Sequence, residues 1–177
     1  MLSSFGIKSI ITSDKNEILS ADKIIFPGQG HFAQVMEKLK ETNLDRTIKE
    51  VIKSGKDFLG ICVGFQVLFE KSEEAPGVMG LGIFKGEVKK YKQGKTPQIG
   101  WSEIRTTLNN TFLSNGYFYF VNSYYVEPKD PLIISSYANY HIDFCASVEY
   151  KNITAVQFHP EKSADSGIEF FKKWLSK

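Results

Sequence analysis

The sequence predicts an α/β fold with a mixed, mainly parallel central sheet and an added antiparallel part. In the early part of the chain, short apolar runs alternate with segments of helical period. Two of these runs, residues 23–26 and 58–61, are apolar almost throughout, as parallel strands buried on both faces require. After Gly77, strand-like runs follow one another and are separated by Gly, Pro, Asn and Asp, which indicates antiparallel pairing.

The elements can be assigned in chain order from periodicity and turn signals. Strands are predicted over residues 7–12, 22–28 and 57–61, helices over 31–40 and 44–55, and a further helix over 63–70. Later strand-like runs cover 84–91, 99–104, 116–125, 132–137, 143–150 and 153–160. A last helix follows residue 163, capped by Ser or Asp, with one apolar face made of Ile168, Phe171, Trp174 and Leu175.

Composition restricts the class of protein. A chain of 177 residues that is 42% hydrophobic predicts one domain over residues 1–177. The 22 basic and 20 acidic residues are spread evenly, which argues against nucleic-acid binding. No apolar run approaches the roughly 20 residues that span a bilayer, and no signal-peptide layout opens the chain, so we expect a cytoplasmic protein without a membrane partner. Cys62 and Cys145 make no metal spacing, and we expect free thiols and no metal or cofactor.

Cys62 lies between two glycines at the predicted turn from strand to helix. A sharp turn of this kind strains its central residue and leaves no room for side chains two positions away, which explains Gly60 and Gly64. The amides and dipole at the start of the helix also favour a thiolate. These features predict a nucleophile, although a small buried side chain beside two packing glycines remains the alternative.

A base for this nucleophile is offered by "AVQFHPEKS". Residues i and i+2 of an extended segment point the same way, so Glu161 can accept a hydrogen bond from one ring nitrogen of His159 and leave the other for a thiol. Pro160 is expected to keep this segment extended. Cys62, His159 and Glu161 therefore predict a nucleophilic triad, against the alternative of a capping histidine before a proline turn. His31 and His141 lack such neighbours and are expected at the surface.

A third motif, "FPGQG", follows a predicted strand. Gly28 and Gly30 allow backbone amides to approach a substrate, as an oxyanion hole requires. A phosphate-binding loop is the alternative, although the Lys-Ser/Thr pair of a P-loop is lacking.

Together, "FPGQG", "GICVGFQVLFEKSEE", "YFYFVNSYY" and "VQFHPEKS" resemble the class I glutamine amidotransferases over nearly the whole chain. More closely, they resemble the glutaminase subunits of imidazole glycerol phosphate synthases. The resemblance implies a flavodoxin-like three-layer sandwich. It also implies glutamine hydrolysis through a cysteinyl thioester, with ammonia passed to a (β/α)8-barrel cyclase subunit of the HisF type as heterodimer partner, in histidine biosynthesis.

The resemblance also implies a role for individual residues. Cys62 is the nucleophile, His159 the base and general acid, and Glu161 the carboxylate that orients it. The oxyanion site is assigned to Gly28, Gln29, Gly30 and Val63. The glutamine site is assigned to Gln66, Glu74, Ser123 and Tyr124. The partner interface is assigned to Tyr119, Asn122 and Lys162.

Three features depart from the family pattern. The chain begins inside what is normally the first helix, at residues 2–5, so a central strand is missing, and we expect an upstream start codon or an incomplete recorded chain. Gln29 stands where a small apolar residue is usual. Asn122 replaces a histidine near the expected subunit boundary, at a position suited to partner choice.

Two other functions remain open at this stage. A paralogous glutaminase that supplies ammonia for acetamidino-sugar synthesis would carry the same motifs. A cysteine peptidase or a catalytically silent binding module on the same scaffold is disfavoured by Gln66, Glu74 and the complete Cys-His-Glu set.

Overall fold

The computed structural model describes residues 2–177. Its strands are β1 Lys23–Gly28, β2 Asp57–Cys62, β3 Lys71–Ser72, β4 Gly86–Lys90, β5 Gln98–Thr106, β6 Gly116–Asn122, β7 Tyr124–Pro128, β8 Ile134–Tyr140, β9 Ile142–Tyr150 and β10 Ile153–Val156. Its α-helices are α1 Lys15–Ser20, α2 Phe32–Glu41, α3 Leu44–Lys53, α4 Val63–Gln66 and α5 Ala164–Leu175. Short 3₁₀ turns cover Leu2–Phe5, Pro131–Ile133 and Pro160–Lys162.

The strands form one mixed sheet. Its main path runs β1-β2-β10-β9-β7-β4-β3, and β5, β6 and β8 extend it beside β9. Strands β1, β2 and β10 are parallel and form the part of the sheet that carries the site, since β2 lies between the other two. Within residues 2–177, three strand pairs are parallel and six antiparallel, so the parallel part is smaller than the sequence suggested.

Helices cover both faces of the parallel strands. Successive side chains of a strand point to opposite faces. The Thr154 side chain accepts a hydrogen bond from Lys177, which follows α5. The next residue, Ala155, lies against Gly60 on the opposite face, which carries α4. The layers therefore follow the order helix, sheet, helix, and the buried apolar side chains form one core cluster.

The elbow after β2 is built on close backbone contacts. A Cβ atom at Gly64 would lie 2.1 Å from the Phe26 carbonyl oxygen, and one at Gly28 would lie 2.3 Å from the Gly64 nitrogen. At Gly60, a Cβ would lie 2.9 Å from the Gly64 oxygen. The two glycines that flank Cys62 are therefore required by packing, as predicted, and Gly28 belongs to the same contact.

Five features of the fold differ from the sequence expectations. Residues 7–14 form no strand, and Ile10 and Ile11 are exposed. Within residues 2–177, β1 pairs with β2 alone and so has a free edge, but residues 7–14 do not pair with it. Helix α1, which was not predicted, begins there after an Asp14 cap.

The other corrections concern α4 and α5. Helix α4 ends at Gln66 instead of near residue 70, because the following segment turns to form β3. Ser163 precedes α5 but makes no cap bond, since its Oγ donates to the His159 oxygen and accepts from the Tyr119 amide. The buried face of α5 is made of Phe170, Phe171 and Trp174, with Ile168 and Leu175 only partly buried.

No helix within residues 2–177 is both long and apolar enough to cross a membrane.

We predict that Gly64→Ala destabilises the fold by about 1–3 kcal/mol, because the new methyl group meets backbone atoms that cannot move aside independently. Chemical denaturation measures the free energy of unfolding. Gly116→Ala is the matched control, since a Cβ there would meet nothing closer than Ser166 Oγ at 3.5 Å. Equal stability of the two variants would contradict the proposed contact.

Candidate active site

Cys62 stands at the elbow between β2 and α4 in strained backbone geometry. Its φ of 55° and ψ of −112° lie where a residue with a side chain is rarely found. Its side chain is buried, 6% exposed, and Sγ lies 3.9 Å from the Val121 oxygen and 3.7 Å from Gln157 Nε2. The Cys62 thiol is therefore held at a sharp turn that can form only because Gly60 and Gly64 have no side chains.

His159 is fixed through its backbone and its ring. Its amide donates to the Tyr119 oxygen at 2.8 Å, and its oxygen accepts from Ser163 Oγ at 2.7 Å. Ring atom Nδ1 lies 2.7 Å from Glu161 Oε1, which leaves Nε2 for another partner. The prediction that Pro160 keeps this segment extended is wrong. It begins a 3₁₀ turn, a position that suits its fixed φ, and the turn brings Glu161 back to the ring.

The charges of His159 and Glu161 support each other. Hydrogen bonding with the Cys62 side chain, and then with Glu161, raises the pKa of His159 to about 9 against the opposing effect of burial. For Glu161, burial favours a higher pKa, but the hydrogen bond with His159 and the nearby charges lower the pKa on balance. At neutral pH the ring is therefore protonated and the carboxylate charged.

An open pocket of about 330 Å³ lies over Cys62 and is large enough for a small molecule. It is lined by Gly28, Gln29, Gly30, Cys62, Val63, Gln66, Glu74, Pro97, Val121, Asn122, Ser123, Tyr124, His159 and Lys162. All predicted oxyanion and glutamine-site residues are in this set. Glu161 and Tyr119 are outside it, and Pro97 and Val121 were not predicted.

Glu74 places a carboxylate in this pocket. Its Oε2 accepts from the Phe32 amide at 2.7 Å, at the first residue of α2. The phenol of Tyr124 lies near enough that Glu74 and Glu73, after burial, raise its pKa. The pocket therefore has a negative end, which suits a cationic group of a ligand.

Asn122 lines the pocket from the core face of the sheet and does not lie on the exposed surface where the partner interface was predicted. It is 5% exposed, and its Nδ2 donates to Tyr91 Oη and to the Tyr124 oxygen. Strand pairing explains this, because Asn122 pairs with buried Gln98 on the core face of the sheet, whereas Tyr119 is on the opposite face. Lys162 is exposed at the pocket rim.

Sequence reasoning missed Gln157. It is fully buried, its Nε2 faces Cys62 Sγ, and its Oε1 accepts from Gln66 Nε2 at 3.0 Å. The available signal was a polar residue that interrupts the apolar run "ITAVQF" two positions before His159.

The remaining candidate residues lie away from the pocket. Cys145 is buried in β9, and burial raises the pKa of its thiol. His31 and His141 are exposed, as predicted, and His31 caps α2 by accepting from the Ala33 amide. Among residues 2–177, no group of His, Cys, Asp or Glu side chains is arranged to hold a metal ion.

Comparison with known proteins decides the family. The sequence profile of "Glutamine amidotransferase class-I" matches residues 3–176. The chain belongs to the class I glutamine amidotransferases. It is 48% identical over 168 residues to an imidazole glycerol phosphate synthase subunit HisH of Pyrococcus furiosus, covering 92% of this chain and 86% of that protein. It is 40% identical over 174 residues to subunit HisH 1 of Methanococcus maripaludis, covering 94% and 86%.

Solved structures agree with this amidotransferase fold. A protein described as glutamine amidotransferase superposes with a TM-score of 0.77 at 17% identity, covering 99% of this chain and 88% of that one. The glutaminase domain of Trypanosoma brucei CTPS with bound acivicin gives 0.66 at 15% identity, covering 99% and 84%. The predicted fold class is thus confirmed.

We predict that the stability contributed by His159 depends on pH. Because the pKa is raised from 6.5 to about 9, this contribution is full below about pH 6.5 and is lost as the pH rises through about 9. The difference in unfolding free energy between wild type and His159→Ala should therefore shrink over that range. His141→Ala controls for the loss of an exposed histidine, and a difference that stays constant to about pH 10 would contradict the raised pKa.

Proposed function

We propose that this chain is the glutaminase subunit of an imidazole glycerol phosphate synthase and works in the cytoplasm as one domain. It hydrolyses glutamine to glutamate and ammonia and supplies the ammonia to a cyclase subunit for histidine biosynthesis. The observation that carries the proposal is a thiol on a strained elbow beside a histidine that is paired with a carboxylate, inside a pocket with a negative end. Both cysteines are free, as a reducing compartment favours.

In the proposed reaction, the Cys62 sulfur attacks the γ-carbonyl carbon of glutamine. A sulfur–carbon bond forms and the carbonyl oxygen becomes an oxyanion. Protonated His159 then gives its proton to the leaving nitrogen, and ammonia departs as the carbon–nitrogen bond breaks. Water, deprotonated by His159, next attacks the thioester, and the carbon–sulfur bond breaks to release glutamate. Glu161 holds the ring in position through both steps.

The oxyanion is assigned to backbone amides of Val63 and of the Gly28–Gly30 loop. Val63 is the first residue of α4, where amides have no partner within the helix. Gly30 has a φ of 102°, a conformation that a residue with a side chain rarely adopts. Both elements line the pocket beside Cys62.

The glutamine head group is assigned to the part of the pocket lined by Glu74. Glu74 offers a carboxylate to the α-ammonium group, and such a charged hydrogen bond is stronger than a neutral one. Gln66, Ser123 and Tyr124 line the same pocket.

An exposed apolar surface next to the pocket fits the cyclase partner. Strands β5 and β6 present Ile99, Trp101 and Tyr117, which are 63%, 51% and 59% exposed. Trp101 packs edge-on against Tyr119, and Ile99 pairs with Val121, which lines the pocket. Aromatic side chains of this kind often carry the binding energy of interfaces. A partner on this surface would cover the pocket mouth.

The histidine pathway is favoured over the sugar-amidination paralogue by the relatives. The named relatives at 40–48% identity are subunits of imidazole glycerol phosphate synthases, and no observation on the chain favours the other acceptor.

We predict that Cys62→Ser removes glutamate release from glutamine. A serine at the elbow is not ionised by His159, and nucleophile and base act as a unit, so His159→Ala should lose nearly as much activity, by several powers of ten. Glu161→Gln should lose less. Release of glutamate is measured with the purified cyclase partner present.

Cys145→Ser is the control and should retain activity, because Cys145 is buried in β9, its Sγ donates to the Ser147 oxygen, and it does not line the pocket. Retention of more than about a tenth of the activity in Cys62→Ser, a loss below about 1.4 kcal/mol, would refute the assignment. In a bacterium that lacks its own histidine-pathway glutaminase, the wild type and Cys145→Ser with the cyclase should restore growth without histidine.

We predict that the cyclase raises glutaminase activity at least tenfold and that Trp101→Glu removes most of this increase. Each tenfold increase in activity requires the partner to bind the active arrangement about 1.4 kcal/mol more tightly than the inactive one. Activity without the cyclase should not change, since Trp101 does not line the pocket. Leu132→Glu, at an exposed apolar residue outside the β5–β6 surface, is the control. Equal activation of both variants would exclude this surface.

A further inference from the structure

Gln157 connects the nucleophile with the substrate pocket. Its side chain is fully buried behind Cys62, with Nε2 3.7 Å from Sγ. Its Oε1 accepts from Gln66 Nε2 at 3.0 Å, and the same Gln66 nitrogen donates to the Tyr124 backbone oxygen at 3.0 Å. Four groups thus form one chain of hydrogen bonds from the pocket wall to the sulfur.

The direction of this chain is fixed by its far end. The Tyr124 carbonyl can only accept, so the Gln66 atom facing it must be the NH₂ group. The second hydrogen of that group points to Gln157, which must therefore present Oε1 to Gln66 and NH₂ to the sulfur. If the Gln157 amide were flipped, its NH₂ group would face the NH₂ group of Gln66, and its oxygen would face the Cys62 sulfur.

We propose that Gln157 is a positioning residue that holds the Cys62 sulfur with an N–H donor, and that Gln66 sets the orientation of this donor. The inference rests on the proposed function, because it concerns the nucleophile of that reaction. A donor is worth more to an anionic sulfur than to a neutral thiol, and more in a buried site than in water. Gln157 therefore favours the attacking form of Cys62 in addition to the effect of His159.

The same chain explains a second property of Gln66. Its nitrogen is occupied on both sides by protein acceptors, so it contributes to the site by ordering Gln157 and Tyr124. Loss of Gln157 should therefore slow the chemical step more than it weakens glutamine binding.

The test uses two variants close in size to glutamine. Gln157→Met removes the donor, and Gln157→Glu keeps an acceptor for Gln66 but turns an oxygen toward the sulfur. For Gln157→Met we expect kcat for glutamate release and the rate of Cys62 alkylation by iodoacetamide to fall at least tenfold, with KM changed less than threefold. Gln157→Glu should fall further. Thr154→Val, a buried substitution on β10 that faces away from the elbow, should match the wild type.

A second measurement does not require Gln157 to be replaced. In the wild type, the side-chain amide protons of Gln157 should give NMR signals that shift when Cys62 is changed to Ala, while those of Gln98, a buried amide bonded to Tyr91 and Ser102, should not. Unchanged Gln157 signals, or a Gln157→Met enzyme within twofold of wild type in kcat and alkylation, would overturn the inference. If the wild type releases no glutamate from glutamine even with the cyclase present, the proposed function fails instead, and the two failures are thereby distinguished.

Discussion

The close backbone contact between the end of β1 and the turn after β2 is the constraint on which the site depends. Gly28, Gly60 and Gly64 let Phe26, Val63 and the elbow approach to distances that no side chain would allow. This approach gives Cys62 its unusual backbone angles and sets the start of α4 beside the Gly28–Gly30 loop. The parallel neighbour β10 then delivers His159 from the other side, since β2 lies between β1 and β10.

Around this backbone contact, the buried polar groups are held by hydrogen bonds to specific partners. The His159 backbone is bonded to Tyr119 and Ser163, and its ring to Glu161. The Gln157 amide is bonded to Gln66. Buried polar groups must be paired to be tolerated, and a paired network has few alternative arrangements. The side chains of the proposed active site are thus ordered without a ligand.

The elbow could be predicted from local rules of spacing and sterics, whereas the residues of the glutamine site were proposed from the family resemblance, and the structure places them around one pocket. Sequence reasoning failed where the outcome depends on neighbours distant in the chain. Residues 7–12 have strand-like composition but do not pair with the free edge of β1, and α4 ends at Gln66 because the chain turns toward β3. Asn122 could have been placed correctly, because a residue three positions from Tyr119 on a strand must face the other side. Gln157 gave a weak signal, since its partners Gln66 and Cys62 are about 90 residues away.

The carboxylate of Glu74 has a mechanical consequence for the loop that follows β1. One end of this loop is wedged by Gly28 against the elbow, and the other is tied by the bond from the Phe32 amide to Glu74. Only Gln29, Gly30 and His31 lie between these anchors. With both ends held, the loop can reorient an N–H by rotating individual peptide planes but cannot swing as a flap. A ligand cation that binds Glu74 would compete with the Phe32 amide for the carboxylate, so occupation of the pocket at Glu74 would also weaken the hydrogen bond that holds this end of the loop.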